Sequence, residues 1–267
     1  MVNSLDTLAA FWQQQSELYG DAALLGIPRG TASFTEQQPN VLPVVTPELA
    51  RETAPEAEQP VVAAKSRKKT LADVAAEAGA CTACGLSRAR TKVVFGHGSE
   101  KPRILFVGEA PDKDDDASGL PFTGQVGALF DRMLTRMGFA RGEVYITFPV
   151  KCKPPANRQP AADELSACHS FLQQQISLLQ PRYIFCLGRV AAASVLNTSA
   201  DIDTLRSSEH QYKGIRVFVT HNPAALLHNQ GLFWAVFEDM KRFRAVYDRE
   251  IGDKPPMPDA AKPGKNG

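Results

Sequence analysis

Two kinds of apolar segment alternate along the middle of the chain. The short kind is almost entirely apolar and comprises 103–108 (RILFVG), 144–148 (VYITF), 182–188 (RYIFCLG) and 215–221 (IRVFVTH). Runs of this length and composition indicate strands that are buried on both faces. The longer kind has apolar residues at helical spacing and comprises 124–138, 162–180, 189–196 and 232–247. Strands that alternate with helices in this way predict an α/β fold.

We predict a three-layer sandwich in which helices cover both faces of a central, mostly parallel sheet of about four strands. The domain is expected over residues 70–250, because Thr70 and Asp73 fit a capping box at the start of its first helix. The remaining segments are predicted as an amphipathic helix over 1–25, a disordered linker over 26–69 and a disordered tail over 251–267.

The overall composition restricts the class of protein only slightly. Hydrophobic residues make up 43% of the chain and charged residues 22%, and the formal net charge is +1. This balance argues against a histone-like protein that coats nucleic acid, but it allows a DNA enzyme with one local basic face. No apolar run approaches the roughly 20 residues of a membrane helix, and the N-terminus does not resemble a signal peptide. We therefore expect a cytoplasmic protein that does not bind membranes.

Unusual residues gather where the predicted strands end. The segments concerned are 108–124 (GEAPDKDDDASGLPFTG), 147–158 (TFPVKCKPPANR), 187–189 (LGR) and 220–229 (THNPAALLHN). In a parallel sheet, ligands bind at the carboxyl ends of the strands, where the loops begin. The simplest prediction is one pocket to which all four segments contribute.

Four of the five cysteines are spaced in a way that is compatible with a metal site. Cys81 and Cys84 form a CxxC pattern, Cys152 follows a predicted strand, and Cys168 lies in the next predicted helix. Thiolates from separate segments suit zinc or an iron–sulfur cluster. The spacing does not choose between these two, and reduced, buried thiols remain an alternative. Cys186 lies within an apolar strand and is expected to be an inert buried thiol.

Several motifs together resemble those of the family 4 uracil-DNA glycosylases, the bacterial and archaeal iron–sulfur type. The motifs are CTACGLSRARTKVVFGHG, GEAPDKDDDASGLPFTGQVGALFDRML, VYITFPVKCKPPANRQP, the strand ending in LGR, and THNPAALLHN. The resemblance extends from Cys81 to about Phe237. It implies a uracil-DNA-glycosylase-like fold and hydrolysis of the N-glycosidic bond of uracil, or of another deaminated base, after that base has flipped out of DNA.

The resemblance also implies a cofactor. Family 4 enzymes hold a 4Fe-4S cluster through four cysteines, and the matching positions here are Cys81, Cys84, Cys152 and Cys168. A cluster bound by distant segments would cross-link them and stabilise the fold. A zinc site or reduced thiols are the alternatives.

The residues expected to bind the base include one clear departure from the family. The resemblance implies that the turn formed by Gly108, Glu109 and Ala110 presents backbone N–H groups to the base, and that Phe122 stacks on the base. Phe122 could instead be a simple core residue. The family has Asn directly after the VYIT strand, where it reads the uracil edge, whereas this chain has Phe148. A phenylalanine offers only apolar contact or stacking, so discrimination for uracil is expected to change.

The expected catalytic residues are Glu109, Asp115 or Asp116, and one residue of the histidine motif. The resemblance implies that Asp115 or Asp116 would help to position water or stabilise the positively charged sugar. The family has His-Pro-Ala, but this chain has His221 and Asn222 before the proline. Either His221 stays in the pocket through a one-residue insertion, or Asn222 supplies the donor to the base.

A basic loop beside Cys152 is expected to contact DNA phosphates. Its residues are Lys151, Lys153, Asn157 and Arg158, and the alternative is an ordinary solvated loop. The expected partners are therefore DNA and, through the N-terminal helix, another protein. We expect a monomer.

Three functions are compatible with these features. The first is an active glycosylase, favoured by Glu109, the acidic run and Phe122. The second is a nucleic-acid-binding relative with altered specificity or without catalysis, favoured by Phe148 and the altered histidine motif. The third is a nucleotide-binding protein that does not act on DNA.

Overall fold

The structure is a computed structural model that describes residues 69–258. The helix predicted over 1–25, nearly all of the linker predicted over 26–69, and residues 259–267 lie outside the described residues.

The described residues form helices and strands that alternate along the chain. The helices are α1 (Leu71–Ala80), α2 (Lys113–Ser118), α3 (Gly124–Arg136), α4 (Ala162–Leu179), α5 (Arg189–Leu196), α6 (Ile202–Ser207), α7 (Pro223–His228) and α8 (Phe233–Glu250). The strands are β1 (His97–Gly98), β2 (Ile104–Val107), β3 (Tyr145–Thr147), β4 (Tyr183–Leu187), β5 (His210–Tyr212) and β6 (Ile215–Thr220). Short 3-10 turns occur at Gly85–Arg88, Arg141–Glu143, Pro155–Asn157 and Gln230–Leu232.

The strands form one sheet in the order β1-β3-β2-β4-β6-β5. The four inner strands are parallel, whereas the two edge strands pair antiparallel with their neighbours. The α/β fold with a mostly parallel sheet is therefore confirmed, and its four apolar strands are those predicted. The sheet described here has six strands because β1 and β5 are too short and too polar to be recognised from an apolar pattern.

Alternation along each inner strand supplies two separate cores. In β2, Ile104 and Phe106 pack with α3 and α8, whereas Leu105 and Val107 pack with α4 and α5. This is the two-residue period of a strand, and it explains why the inner strands read as continuous apolar runs. A smaller third cluster joins α1, the loop after β3 and α4 around the cysteines.

Residues 251–258, which follow α8, belong to the segment that the sequence predicts as a disordered tail. Residues 251–258 pack against the domain in this structure. Arg244 is buried, and its guanidinium donates to the Pro255 carbonyl oxygen at 2.9 Å. Asp253 accepts a hydrogen bond from the Tyr247 hydroxyl at 2.9 Å. Among the described residues, no helix is long and apolar enough to cross a membrane.

The parallel arrangement determines where the site lies. All four inner strands end at the same edge of the sheet, so the residues that follow them are neighbours in space. Gly108 follows β2, Phe148 follows β3, Gly188 follows β4 and His221 follows β6.

Candidate functional site

The carboxylate of Glu109 is the point at which three strand ends meet. One oxygen accepts a hydrogen bond from the backbone N–H of Val190, in the first turn of α5, at 3.1 Å. The other accepts from the side-chain amide of Asn222 at 2.8 Å. Gly188 has φ of 105°, and a Cβ there would lie 2.5 Å from the Glu109 carboxyl carbon. A glycine is therefore required after β4 for the carboxylate to occupy this position.

Asn222, and not His221, lies beside Glu109. The Asn222 side chain also accepts from the backbone N–H of Ala224 at 3.1 Å and so caps α7. His221 is directed toward α6, where its Nε2 is 3.7 Å from a carboxylate oxygen of Asp203. Burial lowers the pKa of His221, and nearby Arg206 acts in the same direction. In this structure the position before Pro223 therefore supplies an amide to the pocket.

The other side of the pocket is formed by aromatic rings. Phe122 stacks on Phe130 with ring centroids 4.7 Å apart, and its centroid is 5.3 Å from that of Phe148 at 64°. The backbone N–H of Gly108 donates to the Thr147 carbonyl at 2.9 Å and continues the pairing of β2 with β3. This N–H is therefore not available to a base, contrary to the role predicted for Gly108. Ala110 is half-buried against the cluster that contains the cysteines. We refer to Gly108, Glu109, Phe122, Phe148 and Asn222 as the base pocket, after the role that is proposed for them below.

The backbone around Phe122 is held in an unusual conformation. Phe122 has φ of 51°, in the left-handed region that is rare for large side chains. The Arg141 guanidinium donates to the Phe122 carbonyl at 2.8 Å and to that of Pro121, and it pairs with Asp131 at 2.6 Å. A Cβ at Gly127 would lie 2.1 Å from the Phe122 oxygen. Sequence reasoning missed Arg141 because it lies in a separate turn and no local pattern connects it with Phe122.

The predicted role of Asp115 and Asp116 in water or sugar binding is not compatible with their positions. Both are buried, with 2% and 3% of their surface exposed. Asp115 accepts from the backbone and hydroxyl of Thr123 at 2.7 and 2.9 Å, and Asp116 accepts from the Thr91 backbone at 2.9 Å. Burial raises the pKa of Asp115, whereas the hydrogen bonds from Thr123 lower it. These carboxylates brace loops because they satisfy backbone donors that would otherwise be unpaired.

The four predicted ligand cysteines line one small cavity. Cys81 and Cys84 come from the segment after α1, Cys152 from the loop after β3, and Cys168 from α4. Cys152 and Cys168 are buried, and Cys81 and Cys84 are partly buried. We call these four residues the cysteine site. In residues 69–258, no three metal-binding side chains are close enough together to hold a single metal ion.

Cys186 is fully buried in β4, away from the cysteine site, and burial strongly raises the pKa of its thiol. It packs with Leu105, Ile184 and Val219 on one face of the sheet. This position agrees with the inert thiol that the sequence predicts.

Two cations border the cysteine site. Arg90 donates to the Cys152 sulfur at 3.2 Å and to the Cys81 carbonyl at 2.9 Å. Burial raises the pKa of the Cys152 thiol, whereas Arg90 acts to lower it. Burial likewise raises the pKa of the Cys168 thiol, whereas Lys151 acts to lower it. The sequence did not reveal Arg90 as a neighbour of the sulfurs, because the contact requires the loop to fold back on itself.

Lys151 is buried and cannot contact a phosphate, contrary to the prediction. Only 1% of it is exposed, and its ammonium donates to the Thr147 hydroxyl at 2.7 Å, the Phe148 carbonyl at 2.5 Å and the Gln175 side chain at 2.6 Å. Burial lowers its pKa to about 7, and Cys168 and Cys152 act in the opposite direction. No carboxylate in residues 69–258 forms an ion pair with it. Lys151 thus connects the cysteine site with the backbone of the base pocket.

The rest of the basic loop divides into bound and available side chains. Arg158 is paired with Glu164 through two hydrogen bonds of 2.8 and 2.6 Å. Lys153 is half-buried, and Asn157 is exposed with φ of 54°. Of the four side chains predicted to bind phosphate, Lys151 is buried and Arg158 is paired with Glu164, so Lys153 and Asn157 are the two that remain accessible to a phosphate.

Comparisons with known proteins agree with the sequence motifs. The family model described as the uracil DNA glycosylase superfamily matches residues 95–245. The chain is 37% identical over 186 residues to a type-4 uracil-DNA glycosylase of Sulfurisphaera tokodaii, with 66% of this chain and 84% of that protein covered. It is 35% identical over 189 residues to a type-4 uracil-DNA glycosylase of Thermotoga maritima, with coverages of 69% and 98%. It is 31% identical over 151 residues to a type-5 uracil-DNA glycosylase of Pyrobaculum aerophilum, with coverages of 50% and 66%.

Proposed function

This chain belongs to the uracil-DNA glycosylase superfamily, and we propose that it is a DNA glycosylase that hydrolyses the N-glycosidic bond of uracil or another deaminated base. The likeness covers 84% and 98% of the length of the two type-4 uracil-DNA glycosylases. The base would leave the DNA stack and enter the base pocket before the bond breaks.

The convergence of three strand ends on Glu109 is the observation that carries this proposal. Cleavage of the bond produces a positively charged sugar and an anionic base, so a catalyst must stabilise opposite charges a short distance apart. The Glu109 carboxylate supplies negative charge, and its orientation is fixed by Val190 and Asn222. We assign to it the stabilisation of the sugar cation and the orientation of the attacking water.

Asn222 is the group best placed to act on the departing base. Its amide is a donor in the pocket and is held by the cap of α7. A donor directed at a base oxygen would stabilise the negative charge that develops there. Asn222 would take this role in place of the family's histidine.

We further propose that the cysteine site holds a 4Fe-4S cluster. Each iron of such a cluster takes one cysteine. The cavity is lined by four cysteines from three separate segments, and four is the number of ligands that a 4Fe-4S cluster requires. The buried Lys151 also lacks a carboxylate partner in the described residues, and a thiolate-bound cluster would supply the negative charge that a buried ammonium requires.

The cluster would act as a cross-link. Bound by Cys81, Cys84, Cys152 and Cys168, it would join the segment after α1, the loop after β3 and α4. These segments border the end of β3, so the cross-link would hold the loop that carries Lys153 and Asn157. We propose that these two side chains contact the DNA backbone.

The proposed activity is tested with the full chain purified without air. Oligonucleotides that contain uracil, hypoxanthine or xanthine are incubated with the protein, and abasic sites are then cleaved with alkali. Strand breaks are expected for at least one base and should fall sharply in a Glu109→Gln variant, which keeps the size of the side chain but loses its charge. If the protein binds the oligonucleotides but none of the three bases gives strand breaks, the proposal is contradicted. That result would favour a nucleic-acid-binding relative that lacks catalysis.

A further inference from the structure

Phe148 differs in character from the residues at the other strand ends of the site. Glu109 and Asn222 bring polar groups to the pocket, and Gly188 brings no side chain. Phe148 brings a full aromatic ring of which 1% is exposed. The alternation along β3 directs Thr147 toward α4 and Phe148 toward α3, on the same face as Phe122.

The ring of Phe148 fills the space next to Gly108. A Cβ added at Gly108 would lie 2.5 Å from the Phe148 ring and 2.7 Å from the Phe122 ring. The two rings thus meet directly over the glycine, at the place where the backbone could otherwise approach a ligand closely.

The Phe122 ring has no face left for a base in this arrangement. It stacks on Phe130, Phe148 contacts it from another side, and only 4% of Phe122 is exposed. A flipped base that stacked on Phe122 would have to take the volume that Phe148 now occupies, because protein interiors contain few voids of that size.

The backbone of Phe148 is anchored, but its side chain is held by packing alone. The carbonyl accepts the hydrogen bond from the buried Lys151 ammonium. The ring has no polar atom to bond, so a rotation about its side-chain torsions would leave that contact unbroken.

We infer that Phe148 is a specificity-determining gate, whose ring closes the base pocket of the free protein and must rotate out before a base can stack on Phe122. This inference rests on the proposed function, since it concerns the same pocket. The site would then bind a base by stacking, because no side chain at the end of β3 can form hydrogen bonds with the edge of the base. The fraction of protein with an open pocket then limits the apparent affinity for a flipped base.

The test measures flipping separately from cleavage. The full, cluster-loaded chain is mixed with duplex DNA in which 2-aminopurine lies next to uracil. The fluorescence of 2-aminopurine rises when the uracil leaves the stack, and it is read before any uracil has been excised, because an abasic site would also raise it. Phe148→Ala is expected to increase the equilibrium constant for flipping at saturating protein by about tenfold relative to the unmodified chain, equivalent to about 1.4 kcal/mol. Phe139→Ala is the matched control, because Phe139 is equally buried but packs on Phe243 and Tyr247.

An equal fluorescence rise in the unmodified chain and in Phe148→Ala would overturn the gate. If Phe148→Ala does not fold, as judged by circular dichroism, Phe148→Leu replaces it and should give an intermediate increase, whereas no increase would again overturn the gate. Excision is measured in the same samples. If Phe148→Ala increases flipping but no sample excises a base, the gate is supported and the proposed function is contradicted. If bases are excised but flipping is the same in Phe148→Ala and in the unmodified chain, the proposed function is supported and the gate is contradicted.

Discussion

The cysteine site and the base pocket lie on either side of Lys151, and they differ in how far they follow the family's pattern. The cysteine site has a sulfur at each of the four positions that the resemblance implies. The base pocket keeps Glu109 and Phe122, but it has Phe148 and Asn222 where the family reads and polarises the base. The comparison shows that the departures from the family's pattern fall on residues proposed to touch the base, and not on the cysteines proposed to hold the cluster.

Removing one sulfur should have the largest effect. Cys168→Ser is expected to abolish the visible absorbance of the anaerobic protein and its bound iron, because one iron atom would lose its ligand. The measurement is iron content together with the absorbance spectrum. Cys186→Ala is the control, since Cys186 is buried within β4 and should leave the spectrum unchanged. If both variants lose iron and absorbance equally, or if neither loses them, the cysteine site does not differ from an ordinary buried thiol.

The second prediction separates the two residues of the altered histidine motif. Asn222→Ala is expected to lower the single-turnover rate of base excision by a factor of about 100, as for the loss of one donor to a developing anion. His221→Ala should lower it by less than about threefold, because His221 is directed toward α6 and Asp203. The reverse order would show that His221 enters the pocket when DNA binds.

The third prediction concerns the basic loop that joins the two sites. Lys153→Ala is expected to weaken DNA binding a few-fold and to reduce the slope of log affinity against log salt by about 1, as for the loss of one phosphate contact. Binding is measured by fluorescence anisotropy over a series of salt concentrations. Lys213→Ala is the matched control, because Lys213 lies in the turn before β6, at the opposite edge of the sheet. An unchanged slope in Lys153→Ala would exclude this loop from the DNA interface.

The smallest effect is expected from the titration of His221. Burial lowers its folded-state pKa below the ordinary value of 6.5, so the unfolded chain binds a proton more readily than the folded one. The stability that this group contributes is therefore present above pH 6.5 and lost as the pH falls through the folded-state pKa. The free energy of unfolding in urea should decrease less on acidification in His221→Gln than in the unmodified chain. Parallel pH profiles would show that His221 titrates as a solvent-exposed residue.

The amino-acid sequence alone was sufficient to predict the four inner strands and the longer helices of the domain, and the segments that form its candidate sites. Four apolar runs alternating with helical patterns were sufficient to predict the parallel sheet, because strand and helix periodicity are local properties. The short, polar edge strands were missed for the same reason. The motifs around Glu109 and the four cysteines indicated the family, since they are contiguous in the chain.

Only the tertiary structure decided which way the side chains at the strand ends point. Whether Lys151 binds phosphate or is buried depends on Gln175 and Thr147, which approach it from other parts of the chain. Asp115 and Asp116 became loop braces for the same reason. The course of the chain after β6 placed Asn222 beside Glu109. The course of the chain after β3 placed the Phe148 ring against that of Phe122. Such contacts join residues far apart in sequence, and no local pattern carries information about them.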